Sequence, residues 1–303
     1  MRLNRREFLA SAAATALLPR ATPAAAGFPG ALCLFSKHLP MLGWKELAQA
    51  VRGLGLPGID LTVRTGGHVR PERAETDLPE AIRTIRGEGV EVPMITTELL
   101  SATPLAQSVL STAGRLGIPF FKAGYYRYKF VDVRRELEEA GKEFRALAGL
   151  AAQCGIQVGY HNHANYLGAP VWDMARIMDG LDSKWAGYYF DICHAVTEGG
   201  GAGWKIALNL VAPRIKMIAV KDFYWNRSEG RVWRPRLCPL GEGMVDWKAY
   251  FALLAQSGFR GPVSLHLEYE ITGATEAALR ENTLAAARRD LDFLRARIGE
   301  AFA

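Results

Sequence analysis

Cysteine is scarce and scattered. Cys33, Cys154, Cys193 and Cys238 are the only four, and no two form a Cys-x-x-Cys pair, so their spacing suggests no disulfide framework. Cys193 reads as a packing residue within a strand. No Gly-x-Gly-x-x-Gly turn follows an early strand, and there is no P-loop and no Gly-x-Ser-x-Gly elbow. The signatures of a dinucleotide-binding open sheet, a nucleotide hydrolase and a serine hydrolase are therefore missing. No dense Lys/Arg tract stands out, which argues against a nucleic-acid surface. No Ser/Gly/Pro linker or low-complexity stretch divides the chain. Beyond the N-terminus, no run is apolar enough to cross a membrane or to act as a stable anchor.

What is present begins with an address. Asn4-Arg5-Arg6-Glu7-Phe8-Leu9 matches the twin-arginine export pattern. A modestly apolar stretch follows to Leu18, then Arg20, and Ala24-Ala25-Ala26 offers a small-residue cleavage site before Gly27. Residues 1–26 are expected to be a signal peptide read by the twin-arginine export machinery, giving a periplasmic or otherwise exported chain. Its loss removes four arginines and one glutamate, so the formal charge falls from +6 to +3. The remaining 27–303 suits one large domain.

That domain has a rhythm of short apolar runs, each followed by a helical stretch. Runs buried on both faces predict parallel strands near 31–36, 57–63, 91–96, 118–123, 156–162, 186–192, 215–221 and 262–268. The intervening period of 3.6 predicts helices over 44–54, 79–88, 102–116, 131–154, 171–181, 203–212 and 246–257, with a last helix over 274–298. Eight such units predict an α/β fold, a single-domain closed (β/α)8 TIM barrel. The chemistry of such barrels gathers where the carboxyl ends of the strands converge. Here those ends carry His161, Asn162 and His163, then Asp191 and His194, then Lys221, then His266 and Glu268, with Lys122 ending the fourth strand. The pattern reads as an enzyme acting on a small molecule.

Gly58-Ile59-Asp60-Leu61-Thr62-Val63-Arg64, Gly159-Tyr160-His161-Asn162-His163 and Tyr189-Phe190-Asp191-Ile192-Cys193-His194 carry a resemblance. So do Ala219-Val220-Lys221-Asp222, Gly241-Glu242-Gly243 and Leu267-Glu268. In this order the chain resembles the xylose-isomerase-like barrels of sugar-phosphate isomerases and epimerases, which include the AP endonucleases. The resemblance implies one divalent metal in the mouth and proton movement next to a sugar carbonyl or hydroxyl. It carries the fifth-strand ligand, usually Glu, onto His161, the sixth-strand Asp onto Asp191 and the eighth-strand Glu onto Glu268. The seventh-strand His falls on Ala219, which cannot bind metal. Alternate strand residues share a face, so His163 or His266 is expected to fill that gap. The resulting mixed N/O set suits manganese, zinc, cobalt or iron.

Candidate catalytic groups are Glu268 for proton transfer, with Lys122, Lys221 and His194 as a base or as a charge that stabilises an enolate. Glu98 is a candidate salt-bridge partner for a mouth lysine. Arg64, Tyr126, Asn162, Trp225 and Glu242 are candidate substrate contacts. Aromatic residues crowd the same rim, namely Tyr125, Tyr126, Tyr128, Tyr166, Phe223, Tyr224 and Trp225, and suit the C–H faces of a sugar. The long segment 222–245 is expected to form a lid or binding wall. The expectation is an exported, metal-assisted sugar isomerase or epimerase acting on a free sugar, keto-sugar or cyclitol. The alternatives are a lyase or dehydratase on an oxidised sugar or glycoside, and a degenerate barrel that only binds sugar. AP endonuclease is disfavoured by Ala219, by the export signal and by the lack of a basic stripe.

Overall fold

The computed structural model describes residues 27–227, Gly230 and 232–303; the expected export segment, residues 1–26, lies outside them. In chain order the strands are β1 (Leu32–Phe35), β2 (Gly58–Thr62), β3 (Glu91–Thr96), β4 (Phe120–Lys122) and β5 (Gln157–His161). They continue with β6 (Ala186–Asp191), β7 (Ile215–Val220), β8 (Asp222–Arg227), β9 (Trp233–Cys238) and β10 (Val263–Leu265). Strands β1 to β7 and β10 form a closed parallel barrel, in which β1 pairs with both β2 and β10. The helices are α1 (Trp44–Gly53), α2 (Ala74–Gly87), α3 (Pro104–Arg115) and α4 (Val133–Gln153). After them come α5 (Trp172–Met178), α6 (Ile192–Val211), α7 (Trp247–Gln256) and α8 (Glu276–Ala301). The expected TIM barrel is the observed fold.

Local chemistry accounts for the elements. The helices carry apolar residues three and four apart: α1 buries Leu47, Ala48 and Val51, and α4 buries Phe144, Leu147, Ala148 and Ala151 against the strands. Each fully buried Leu or Phe contributes about 1.5–3 kcal/mol to folding. Thr103, Asp132, Asp246 and Thr275 accept backbone N–H bonds as N-caps of α3, α4, α7 and α8. All four cysteines are free thiols, and Cys193 is packed in the core as expected. No described helix is long and apolar enough to cross a membrane.

Three elements differ from the sequence expectation. Helix α2 starts at Ala74, with Pro79 inside it, five residues before the expected 79–88. Helix α6 starts at Ile192, directly after β6, and breaks at Gly200 (φ 61°, ψ −157°), so its first turns precede the expected 203–212. The cause is Asp191, whose Oδ1 accepts the His194 backbone N–H at 3.1 Å and caps a helix where the apolar run suggested strand. The segment 222–245 contains an antiparallel ribbon of β8 and β9 instead of an irregular loop.

Inside the barrel, alternate residues face the axis and stack in layers. Met94, Tyr189, Met217 and Ala219, with Phe120 against them, form a small apolar plug separate from the main core between strands and helices. Gly159 is what admits it: a Cβ there would lie 2.1 Å from Met217 Cε. Beside the plug lies the fully buried Asp60, which accepts bonds from Thr96 Oγ1 (2.7 Å), Ser264 Oγ (2.8 Å) and the Tyr189 hydroxyl (3.2 Å). Burial pushes its carboxyl up to about 6 against the pull of those three donors. One step further along each strand the axis-facing residues are Thr96, Lys122, His161, Asp191, Lys221 and His266, all buried. The plug closes the floor, and these six side chains build the mouth.

Candidate active site

At the carboxyl ends of the strands lies a cavity of about 110 Å³. Candidate residues Arg64, Lys122, His161, His163, Lys221, His266 and Glu268 line it, together with Phe35, Lys37, Thr96, Tyr125 and Tyr189. Two lysines of opposite character face it. Lys221 Nζ stands 3.2 Å from Asp191 Oδ2 and 2.9 Å from Glu268 Oε2, an ammonium shared by two carboxylates. Burial alone would lower its pKa, but Asp191 and Glu268 more than reverse that and keep it charged. Burial would likewise raise both acids, and the Lys221 charge overrides it and holds each below its ordinary range. Glu268 gains a second cation from Lys37 Nζ, 2.9 Å from Oε1. The His38 Nε2 atom accepts the Leu267 N–H at 2.9 Å and steadies the backbone beside Glu268.

Lys122 is the other kind. It is buried, and its Nζ makes no hydrogen bond or ion pair with any described residue and sits 3.4 Å from the centre of the Tyr125 ring. Glu98, its candidate partner, is exposed and forms no ion pair with it. Burial pushes the amine down from 10.5 to about 7, with Arg64 adding to the effect. A measurable consequence follows for stability. Between about pH 7 and 10.5 the unfolded chain carries a proton here that the folded chain lacks, so this group favours folding increasingly as pH rises. Its contribution is complete above the unfolded pKa and disappears as pH falls through about 7. Lys122→Met is expected to remove a slope of about 1.4 kcal/mol per pH unit from that window. Urea unfolding of both proteins at pH 7.5 and 9.5 checks this, and parallel pH profiles would refute it.

The imidazoles are neutral. Burial, reinforced by the Lys221 charge, lowers His161 and His194 well below the usual histidine range, and burial does the same to His266. His161 is held from both sides, by the Tyr125 hydroxyl at Nδ1 (2.8 Å) and by Asp191 Oδ2 at Nε2 (3.0 Å). His194 Nε2 is buried without a hydrogen-bond partner, 3.8 Å from Asp191 Oδ2. His163 bonds the neighbouring Ala164 carbonyl (3.0 Å) and packs its ring 4.0 Å from that of His194. His266 Nε2 meets the Tyr189 hydroxyl at 3.0 Å, and its ring stacks on Phe35.

These donors fit a divalent metal, though not with the full set expected. Ligand atoms of His161, Asp191 and His194 all lie within 4.8 Å of one another, and the unpartnered His194 nitrogen has no other role. In the tautomer that donates Nδ1–H to the Tyr125 oxygen, His161 Nε2 would be free for coordination, giving an N2O set. The third member of this group is His194; His163 and His266 stand outside it, with His266 Nδ1 also unpartnered and 4.0 Å from Glu268 Oε1. Glu268 also stands outside it, drawn to Lys221 and Lys37. Ala219 offers no donor and lies in the apolar plug.

Four candidate substrate contacts do not line the cavity. Tyr126 donates its hydroxyl to the Leu100 carbonyl and stacks on Tyr160, so the pocket tyrosine is its neighbour Tyr125. The strand ends at Lys122, and Gly124 then passes so close to Glu98 that a Cβ would lie 2.6 Å from its carbonyl oxygen, which resets which residue turns inward. Asn162 exchanges hydrogen bonds with the Asp191 backbone (2.7 and 2.9 Å), fixing β5 against β6. Trp225 lies exposed on the ribbon, and Glu242 is exposed on a turn. That turn has its own logic. The Asp222 carboxylate accepts N–H bonds from Gly241, Gly243, Val245 and the Trp247 indole, and a Cβ on Gly243 would sit 2.1 Å from Asp222 Oδ1. Gly241-Glu242-Gly243 therefore folds the chain around a buried acid. Sequence reasoning missed Lys37, Thr96 and Tyr189 in the cavity. For Thr96 and Tyr189 the signal was available, since they share a face with Met94 and Asp191 two residues away.

No curated protein matches the sequence. Among solved structures, a xylose isomerase-like TIM barrel protein from Mycobacterium smegmatis in complex with magnesium is 17% identical, covering 93% of this chain and 100% of that one, with a TM-score of 0.65. A D-psicose 3-epimerase from Clostridium cellulolyticum H10, solved with D-tagatose, is 14% identical over 88% of this chain and 99% of its own, at a TM-score of 0.66. An L-ribulose 3-epimerase is 15% identical over 90% and 95%, at 0.69. The model of the xylose isomerase-like TIM barrel family matches residues 48–297. With that match over most of the chain, and with its ionisable residues gathered at the barrel mouth, the chain belongs to the xylose isomerase-like TIM barrel family.

Proposed function

We propose that this protein is an exported sugar isomerase or epimerase that moves a proton next to the carbonyl of a free sugar, keto-sugar or cyclitol. One observation carries the reading: the Lys221 ammonium is fixed between Asp191 and Glu268 at the wall of a small polar cavity among neutral imidazoles. Removing a proton beside a carbonyl develops negative charge on the oxygen, and a cation already desolvated and oriented stabilises that charge without reorganising. Glu268, hydrogen-bonded to the same ammonium, is ionised and exchanges the proton with carbon. Arg64 and Lys37 at the rim bind hydroxyl oxygens, and the Tyr125 ring faces the C–H side of the sugar. A divalent metal held by His161, Asp191 and His194 supplies, when bound, Lewis-acid polarisation of the substrate carbonyl. Two structural neighbours, a D-psicose 3-epimerase and an L-ribulose 3-epimerase, favour this class of reaction.

Export rests on Arg5-Arg6 and the small-residue site before Gly27. It also argues for a free sugar, because sugar phosphates are scarce outside the cytoplasm. A secreted chain whose N-terminal sequence begins at Gly27 would support it, and a retained, uncleaved chain would refute it. The reaction itself is tested by incubating the protein with D-fructose, D-tagatose and D-psicose in D2O and following C–H signals by NMR. Exchange of a single carbon-bound hydrogen is expected. Sugar binding without exchange would leave a binding barrel, and loss of water from an oxidised sugar would move the reading to a dehydratase.

A further inference from the structure

We propose that Lys122 is a covalent catalyst, an amine that condenses with the carbonyl carbon of an aldehyde or ketone substrate to form a Schiff base. The inference deepens the preceding reading, on which it rests for the presence of a carbonyl substrate.

The argument is geometric. Lys122 ends β4, faces the axis and lines the cavity. It lacks the carboxylate partner that a buried lysine ordinarily needs, and its Nζ rests over the face of Tyr125. The nearest ionisable groups acting on it are Arg64 and Lys221, which disfavour its charge, and Asp60 and Glu98, which favour it. Asp60 is spoken for by three hydroxyl donors, and Glu98 points into solvent. Lys221, in the same cavity, holds both available mouth carboxylates. The two amines are thus divided by their partners into one that stays an ammonium and one that is free to be a nucleophile. Desolvation and a neighbouring cation are the conditions under which a lysine becomes nucleophilic near neutral pH.

The chemistry balances without any further reagent. The Nζ lone pair attacks the carbonyl carbon and the carbonyl π pair moves to oxygen, which takes a proton. The resulting carbinolamine loses its hydroxyl as water, taking up one proton from solvent, and leaves a protonated imine. That imine withdraws electrons from the adjacent C–H bond, whose proton passes to a mouth base. Returning a proton to carbon and adding water regenerates the ketone or aldehyde and free Lys122. No oxidant or reductant is consumed.

Reduction of the imine provides a readout independent of turnover. The full mature chain is incubated at pH 7.5 with dihydroxyacetone or D-fructose and a short pulse of sodium cyanoborohydride, then analysed by intact mass and peptide mapping. The expected product is a secondary amine at Lys122 whose mass increment equals that of the carbonyl compound less one oxygen. Labelling there should be on the order of tenfold or more faster than at any surface lysine. Lys122→Arg should lose that adduct while retaining the wild-type circular dichroism spectrum. Should that variant misfold, peptide mapping of the wild-type chain decides alone. Labelling at Lys122 no faster than at surface lysines overturns the inference. The two readings separate cleanly: deuterium exchange without a Lys122 adduct sinks the covalent step alone, and an adduct without exchange sinks the isomerase reading alone.

Discussion

Lys221→Met is expected to lower the unfolding midpoint by roughly 6–20 °C, the largest stability change predicted for a single side chain in the mouth. The ammonium is buried between Asp191, itself fully buried, and Glu268. Removing one member of a buried ion pair leaves an uncompensated charge and costs about 3–5 kcal/mol. Two acids are stranded here, relieved only by Lys37, whose side chain is 46% exposed. Protonation would then raise the midpoint at low pH, so the variant's deficit should shrink between about pH 7 and 4, as burial, no longer opposed by the ammonium, raises both carboxyls. A second effect follows from the overlap of Lys221 with the donor group. In the native chain the ammonium lies 3.2 Å from Asp191 Oδ2, the oxygen that His161 Nε2 and His194 Nε2 approach to 3.0 and 3.8 Å. Coulomb repulsion there opposes a second cation. Zinc or manganese should therefore raise the midpoint of Lys221→Met more than that of the native chain, by mass action on a site freed of its internal cation. Thermal melts with and without metal decide the matter. Equal midpoints in the two proteins would mean the ammonium does not bridge the acids, and equal metal responses would mean the two cations do not compete.

Glu268→Gln is expected to reduce hydrogen exchange into a keto-sugar by roughly 10²–10⁴-fold, the span associated with loss of a positioned acid or base. The amide keeps the shape and can still accept a hydrogen bond from Lys221, so sugar affinity should change far less than rate. Isothermal titration beside the NMR exchange assay separates the two. Exchange within a few-fold of the native chain would remove Glu268 from proton transfer. A loss of binding as large as the loss of rate would assign it to substrate contact.

The mouth was legible where strand periodicity operates. Once the apolar runs are identified, a period of two projects Lys122, His161, Asp191, Lys221 and His266 onto the axis, and all five are found there. Legibility failed where the strand stops. Tyr125 and Tyr126 both follow β4 as rim aromatics, and spacing alone does not separate the one that lines the cavity from the one that bonds the Leu100 carbonyl. His194 was read as a catalytic group and not as a ligand; it belongs to the first turn of α6, where the Asp191 cap leaves its Nε2 3.8 Å from Asp191 Oδ2. The ribbon of β8 and β9 escaped notice because it is an exposed antiparallel pair of mixed aromatic and basic residues, without the apolar run that marks a buried strand.

By itself, then, the sequence determined the barrel, the order of its strands and the set of side chains delivered to one mouth. Each of these follows from short-range periodicity, which a chain carries in its own spacing. Only the tertiary structure decided how the charges are shared. Lys122 and Lys221 both end apolar strands and read alike in sequence. Lys221 reaches an acid 47 residues away, whereas Lys122 reaches an aromatic face and no acid. Which lysine remains a cation and which becomes an amine is a property of neighbours brought together by ring closure, and the energy that sets it acts through space over a few ångströms.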